Sequence, residues 1–485
     1  MTTTQQPRDE ATFLGQPRPL AHLFGVEMWE RFSFYGMQAI LALYLYFSVA
    51  DGGLGLPQSS ATSIVGAYGG LVYLSTILGA WLADRLLGSE RTLFASAVLI
   101  MVGHVALAVL PGLAGVGVGL VCVALGSGGL KANATTIVGE LYEADDPRRD
   151  AGFSLFYMGI NLGALVGPLL TGLAQDTAGF HVGFGIAAVG MAAGLVQYAL
   201  GRKGMPASSH RVPDPLPKAE RGRWIAIGVA AVAVVVVASL TGLLTAANLS
   251  TVVVVLTVVA SVGYFVLLLT SRQVSDVERS RVWAFIPLFV ASAAFWSLYQ
   301  QQFTVVPIYA EERLDRGIGG WEMPVAWVNS INPVFIIVLA GVFAALWTRL
   351  GPRQPSTPVK FALGTAGMGV AFLLFLPMAG GGPGSAPLLG LVGILLVFTL
   401  SELLLSPVGL SVSTKLAPAA YKSQMVALFF LSVALGSAMS GTLAGLYSAE
   451  TERAYFGVLG VVAIVLGAAL LLARKPILAL MRGVD

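Results

Sequence analysis

The sequence predicts an all-α polytopic membrane protein with fourteen transmembrane helices, and three observations carry that reading. Of its 485 residues, 56% are hydrophobic and 11% charged, whereas a soluble chain carries about 25% charged residues. Apolar runs of bilayer-crossing length, about 20 residues, recur along the whole chain between breakers. The basic residues are distributed with the same period. With both termini cytoplasmic, Arg31 and Lys131 fall inside spans and Arg313, Arg316 and Arg453 face outside. The other 23 of the 28 Lys and Arg then lie on the cytoplasmic side, which sets the orientation and supports the even span count.

Residues 1–19 are polar, with Pro and Gln, and read as a disordered cytoplasmic tail rather than a signal peptide. Six spans follow at 20–48, 58–82, 92–110, 115–140, 151–175 and 179–200, forming a bundle over 20–201. The longest polar connection, Arg202 to Arg223, carries six basic residues and four Pro and defines a cytoplasmic linker over 202–222. Two simple Ala/Val/Leu spans without internal charge, 223–246 and 250–270, are inserted next. A second six-span bundle over 271–475 takes 280–310, 324–348, 358–378, 386–411, 418–447 and 453–473, and 476–485 is a cytoplasmic tail. The lack of charge in the inserted pair suggests a position against lipid.

The first span departs from this plain pattern. Glu27-Met28-Trp29-Glu30-Arg31-Phe32 places three charges inside it, each costing about 2.5–3.5 kcal/mol at the centre of an isolated helix. Their spacing of i, i+3 and i+4 puts Glu27, Glu30 and Arg31 on one face, which must look into protein or water. A self-neutralising cluster that only fixes packing is the competing reading. Against it, one negative charge is left over, and an excess acid facing a cavity marks a proton or substrate path. Lys131 lies well inside its span, too deep to snorkel, and pairs with Glu27 or Glu30. Asn133 reads as a helix-packing hydrogen bonder, and Glu140 and Glu143 as solvated residues.

Several classes are disfavoured. The single Cys122 cannot form an internal disulfide, and the four His form no spaced cluster, so no metal site is expected. The net charge of +3 reflects topology and not nucleic-acid binding. No Gly-x-Ser-x-Gly or metal-ligand pair supports an intramembrane enzyme, and no cofactor is expected.

Six spans on each side of the linker and inserted pair resemble the two halves of the major facilitator superfamily, whose substrate site lies at mid-membrane between the halves. Gly79-Ala80-Trp81-Leu82-Ala83-Asp84-Arg85-Leu86-Leu87-Gly88 resembles that superfamily's loop signature, with Asp84 and Arg85 as gating and topology residues. Finer motifs resemble proton-coupled oligopeptide transporters. They are Glu27-x-x-Glu30-Arg31-Phe32-Ser33-Phe34-Tyr35-Gly36, Leu130-Lys131-Ala132-Asn133, Phe153 to Gly163 with Tyr157 and Asn161, Phe295-Trp296, Asn329-Ser330-Ile331-Asn332-Pro333, and Ser401-Glu402 through Ser406-Pro407 to Gly409. Six motifs in register cover nearly the whole chain, and two extra helices between the halves are a feature of bacterial members.

The resemblance implies proton-driven import of di- and tripeptides by alternating access, with a central site between the two halves, across the inner (plasma) membrane. A zwitterionic peptide needs opposite charges at opposite ends of its site, because burying an unpaired charge is costly. By the family pattern, Glu27, Glu30, Arg31 and Lys131 couple the proton. Arg31 and Lys131 lie near the peptide carboxylate, and Glu402 with Asn161 and Asn332 faces its amino group. Tyr35, Tyr73, Tyr157, Trp296 and Phe429 match cavity-lining positions. Expected partners are peptide, protons and the lipid bilayer, with the chain acting as a monomer and no nucleic acid involved.

Four positions depart from the pattern. Phe34 stands where Tyr is common, and Phe429 replaces a frequent Trp, which widens the pocket. Gln38 stands where many members have Arg and Gln300 where many have an acid, an ion pair that closes the extracellular side in those relatives. Here the pair is exchanged for two amides able to hydrogen-bond each other as a gate. A carrier of another small solute or drug, or a nutrient sensor with little flux, remains as an alternative. Glu402 argues against a nitrate carrier, since nitrate has no ammonium to pair with it.

Overall fold

In a computed structural model, residues 12–143 and 146–484 are described, and they are overwhelmingly helical. In chain order the helices are α1 (Pro19–Tyr46), α2 (Gln58–Leu82), α3 (Ser89–Val109), α4 (Gly112–Glu140), α5 (Arg149–Ala178), α6 (Phe180–Gly201), α7 (Lys218–Leu240) and α8 (Leu249–Thr270). Then come α9 (Asp276–Tyr299), α10 (Val305–Arg313), α11 (Ile331–Leu350), α12 (Thr357–Leu373), α13 (Leu388–Lys415), α14 (Lys422–Ala444), α15 (Glu452–Leu472) and α16 (Arg474–Met481). Among the described residues, thirteen helical segments are long and apolar enough to cross a membrane. α1 adds the fourteenth: its 28 residues reach about 42 Å at 1.5 Å per residue, and it is set apart by its three internal charges.

Three sequence expectations need correction. The span expected at 280–310 is broken: α9 ends at Tyr299, Gln300–Phe303 form a 3-10 turn, and α10 restarts at Val305. Pro307 explains the break, since it has no N–H for the carbonyl of Phe303 and would clash with it in a continuous helix. The expected disordered tail is ordered from residue 12, where Thr12–Phe13 pairs with Gln16–Pro17 and buried Gln16 accepts a bond from the Tyr142 hydroxyl (3.0 Å). Residues 1–11 lie outside the described residues. The linker is shorter than 202–222, because α7 already starts at Lys218.

The chain divides into two compact units, one holding the chain up to Met37 with Ser75–Ile227, the other Gln38–Leu74 with Gly228–Asp485. In the first, α3 packs on α4 and α6, and α5 on α6. α1 lies against α5 so closely that a Cβ at Gly163 or Gly167 would collide with the carbonyl oxygens of Met28 or Phe32. The linker is held down on the ends of α2 and α3. Arg202 grips the fully buried Glu90 with two bonds (2.8 and 2.9 Å) and lies 3.9 Å from the Phe94 ring centre. Arg85 pairs with Asp214, and Gly88, at φ 83°, passes beneath the Ser209 and Arg211 carbonyls, where a side chain would not fit.

In the second unit, α12 packs on α15, α13 and α9, and α14 on α9 and α8. Of the inserted pair, α7 buries no residue at all. α8 instead turns Ser250, Val253, Thr257 and Ser261 inward; Ser250 bonds the Ser63 and Thr442 hydroxyls, and Val253 packs on Ala67 and Ala438. The uncharged composition therefore reads alike for α7, which has no buried residue, and for α8, which has a docked face. These contrasts give a stability test. Gly167→Val overpacks α1 against α5 and should cost about 1–3 kcal/mol, visible as a lower melting temperature in detergent. Gly228→Val on α7, with open space around it, should leave that temperature unchanged.

Candidate functional site

In the first unit, α1 delivers its charged face to α4. Glu30, Glu27 and Arg31 are 0%, 2% and 4% exposed, so their charges can be balanced only by one another and by their protein neighbours. Arg31 Nε meets Glu30 Oε2 at 2.7 Å and Glu27 Oε1 at 3.0 Å, bridging the two carboxylates. The half-buried Lys131 of α4 acts electrostatically on both acids. Two carboxylates and two cations thus make a formally neutral set. The guanidinium carbon of Arg31 lies 5.3 Å from the Phe34 ring centre, so the Phe that replaces a Tyr still presents a ring face to the cation. Phe34 in turn meets Tyr35 edge to face at 5.2 Å.

In the second unit, Glu402 of α13 is organised differently. The Tyr299 hydroxyl donates to its Oε2 at 2.7 Å and the Asn332 amide to the same oxygen at 3.3 Å. Asn332 also donates to Thr399 Oγ1 (2.9 Å). Among the described residues no Lys or Arg pairs with Glu402, whose partners are neutral donors that converge on one oxygen. Trp296 joins this group through Tyr299, edge to face at 5.2 Å, with its indole N–H buried and unbonded.

The remaining residues singled out from the sequence are placed as follows. Asn161 donates to the Tyr157 carbonyl one turn back on α5 (2.9 Å), and Tyr157 is 49% exposed. Tyr73 is half-buried on α2. Phe429 lies over Gly409, where a Cβ would strike its ring, so the smaller aromatic is paired with the smallest residue on α13. The expected amide pair of Gln38 and Gln300 is not formed. Gln300 instead donates to Ser437 Oγ (2.9 Å), whose own hydrogen is committed to the Val433 carbonyl. Gln38 Oε1 is buried without a hydrogen-bond partner. Asn133 ties α4 to α2 through the Gly79 carbonyl (3.4 Å). Glu140 takes a bond from Ser208 of the linker (2.7 Å), which the solvated reading did not foresee.

Sequence reasoning missed three members of these clusters, and helical spacing could have found each. Thr399 stands three residues before Glu402, Tyr299 three after Trp296, and Ser127, which donates to Glu30 Oε1 at 2.7 Å, four before Lys131. Each therefore shares a face with a residue already singled out.

The comparisons with known proteins agree with one another. The POT family profile matches residues 90–462. An uncharacterized transporter, YclF, of Bacillus subtilis is 44% identical over 476 residues, covering 97% of this chain and 96% of its own. A di-/tripeptide transporter of Lactococcus lactis is 43% identical, with 98% of each chain covered. A crystal structure of a variant of the peptide transporter POT, in complex with alafosfalin, matches at 46% identity and a TM-score of 0.92 over 98% of each chain. With the family profile spanning most of its length and these relatives spanning nearly all of it, the chain belongs to the POT family of membrane transporters.

Proposed function

We propose that this protein is a proton-coupled symporter that imports di- and tripeptides by alternating access. The observation that carries the reading is Glu402, an acid held by neutral donors with no cation among the described residues paired to it. Such a group calls for a positively charged ligand, and a peptide ammonium fits it. The first unit supplies the complementary part. While Glu27 and Glu30 are ionised, Arg31 is committed to them. A proton on Glu30 leaves that set with one positive charge in excess, which answers to the peptide carboxylate through Arg31 and Lys131. Proton and peptide thus stabilise each other's binding, which is what symport needs. Asn161 and Asn332 serve the amino end, and Tyr35, Tyr73, Tyr157, Trp296 and Phe429 line the space for side chains. The names of the relatives support this reading.

The distribution of basic residues supports cytoplasmic termini, and in this reading the protein lies in the inner membrane and acts as a monomer. Uptake of a labelled dipeptide into liposomes, with and without an imposed pH gradient, tests the whole reading. Accumulation that is driven by the gradient is expected. Binding without flux would favour a sensor, and flux indifferent to peptides would favour a carrier of another solute.

Gln38 and Gln300 are neutral positions of an extracellular gate in this reading, although their amides do not bond each other in this structure. Gln38→Arg alone adds a buried, unmatched cation, and a buried charge stripped of its partner costs roughly 3–5 kcal/mol, so transport should fall sharply. Adding Gln300→Glu should restore much of the rate and introduce salt sensitivity. Additive effects in the double-mutant cycle would show that the two positions act independently.

A further inference from the structure

Ser127 sits on α4 one turn before Lys131, fully buried, with its hydroxyl 2.7 Å from Glu30 Oε1. Arg31 Nε holds the other oxygen, Oε2, at the same distance. Among the described residues Ser127 is the only side chain that hydrogen-bonds the Glu30 carboxylate, while Oε2 is in ion contact with Arg31 and accepts no hydrogen bond. The remaining charges acting on it are Glu27 on its own helix and Lys131 on α4.

The approach of Ser127 is built in. Glycines surround it: a Cβ at Gly128 would collide with the Ser75 backbone of α2, one at Gly129 with the Ser96 hydroxyl of α3, and one at Gly126 with the Ser96 carbonyl and Ile100. α4 is therefore seated at close range on α2 and α3 over these residues, and the height of Ser127 beside Glu30 is fixed by backbone contacts.

The chemistry of the two partners differs. Arginine and lysine only donate, so neither can bond the O–H of a protonated carboxyl, whereas a hydroxyl both donates and accepts. When a proton arrives on Oε1, Ser127 can take the new bond as acceptor. Its own hydrogen can turn to the carbonyl of Val123 one turn back, the usual alternative for serine in a helix.

We propose that Ser127 is a positioning residue for proton coupling, holding Glu30 Oε1 by donating to it when ionised and accepting from it when protonated. This rests on the reading that Glu30 carries the coupled proton.

The test measures proton-driven dipeptide uptake across external pH, and peptide counterflow, in liposomes carrying the full-length chain with Ser127→Ala, Ser127→Thr or Glu30→Gln. Ser127→Ala should lose about tenfold in proton-driven uptake against about twofold in counterflow, the scale of one charge-assisted hydrogen bond, with a displaced pH profile. Ser127→Thr, which keeps the hydroxyl, should restore the profile and most of the rate. A wild-type pH profile in Ser127→Ala overturns the proposal. So does equal loss in Ser127→Ala and Ser127→Thr, or equal loss in both assays, because packing alone would then explain it. Full pH-driven uptake by Glu30→Gln overturns the reading of Glu30 and this proposal with it. Loss of coupling in Glu30→Gln beside an unaltered Ser127→Ala overturns only the latter.

Discussion

Replacing Glu30 by glutamine should abolish proton-driven accumulation of a dipeptide while part of its exchange across liposomes survives. Glutamine keeps the shape of the side chain and can still bond Ser127 and Arg31, but it cannot take up and release a proton. The first-unit cluster is then locked with one positive charge in excess, as if permanently protonated. Exchange of peptide for peptide needs no net proton movement and continues, whereas uphill uptake requires the proton to leave on the inner side. Lys131→Ala should lose both activities, since it removes a cation from the carboxylate end as well as from the set that balances Glu27 and Glu30. Counterflow and pH-driven uptake measured on the same proteoliposomes separate these outcomes. Full pH-driven uptake by the glutamine variant would show that the proton travels elsewhere.

The second large effect is expected at Glu402. Glu402→Gln should weaken a free dipeptide roughly ten- to a hundredfold, because a hydrogen bond to a charged group is worth about 1.5–3 kcal/mol. An N-acetylated dipeptide, which has no ammonium, should lose much less. Competition against one labelled substrate reads both affinities directly. Equal losses would mean that Glu402 acts by holding Tyr299 and Asn332 in place rather than by meeting the substrate.

Much of the architecture was legible because hydropathy and basic charge are properties of single residues summed over long windows. The spans from 58–82 to 453–473, apart from the broken 280–310, lie close to the helices observed. What windows cannot see is where a long apolar run bends back into a polar turn. The break at Gln300–Phe303 depends on Pro307 and on the amide of Gln301, which bonds the Ser297 carbonyl and the Ser440 carbonyl of α14, and the second of these partners is distant in sequence. The linker hid its contacts for a similar reason. Four prolines and six basic residues mark a polar cytoplasmic connection, yet Arg202 finds the buried Glu90 and Arg85 finds Asp214, pairings between segments far apart in the chain. Around the candidate site, the charged residues announced themselves by their cost in a membrane. Ser127, Tyr299 and Thr399 cost little there, so composition gave no sign of them, and only their helical register did. The amide pair of Gln38 and Gln300 failed at the level of competition, since Ser437 offered Gln300 a partner that no covariation of two positions would suggest.

α7 carries a consequence for how such a chain can change over generations. With no residue of this helix buried, little beyond its first turns constrains the shape of its side chains. The membrane judges only their summed hydropathy. Val, Ala, Ile and Leu are then synonyms along most of its length, and mutations among them are close to silent. Over 225–240 the helix should drift faster than any other span while keeping its length and lack of charge, so its information content there is that of a composition rather than a sequence. A deep mutational scan scored by uptake would display this as a band of tolerance over 225–240, interrupted where Trp224 meets Trp81, and closed only to charge and proline.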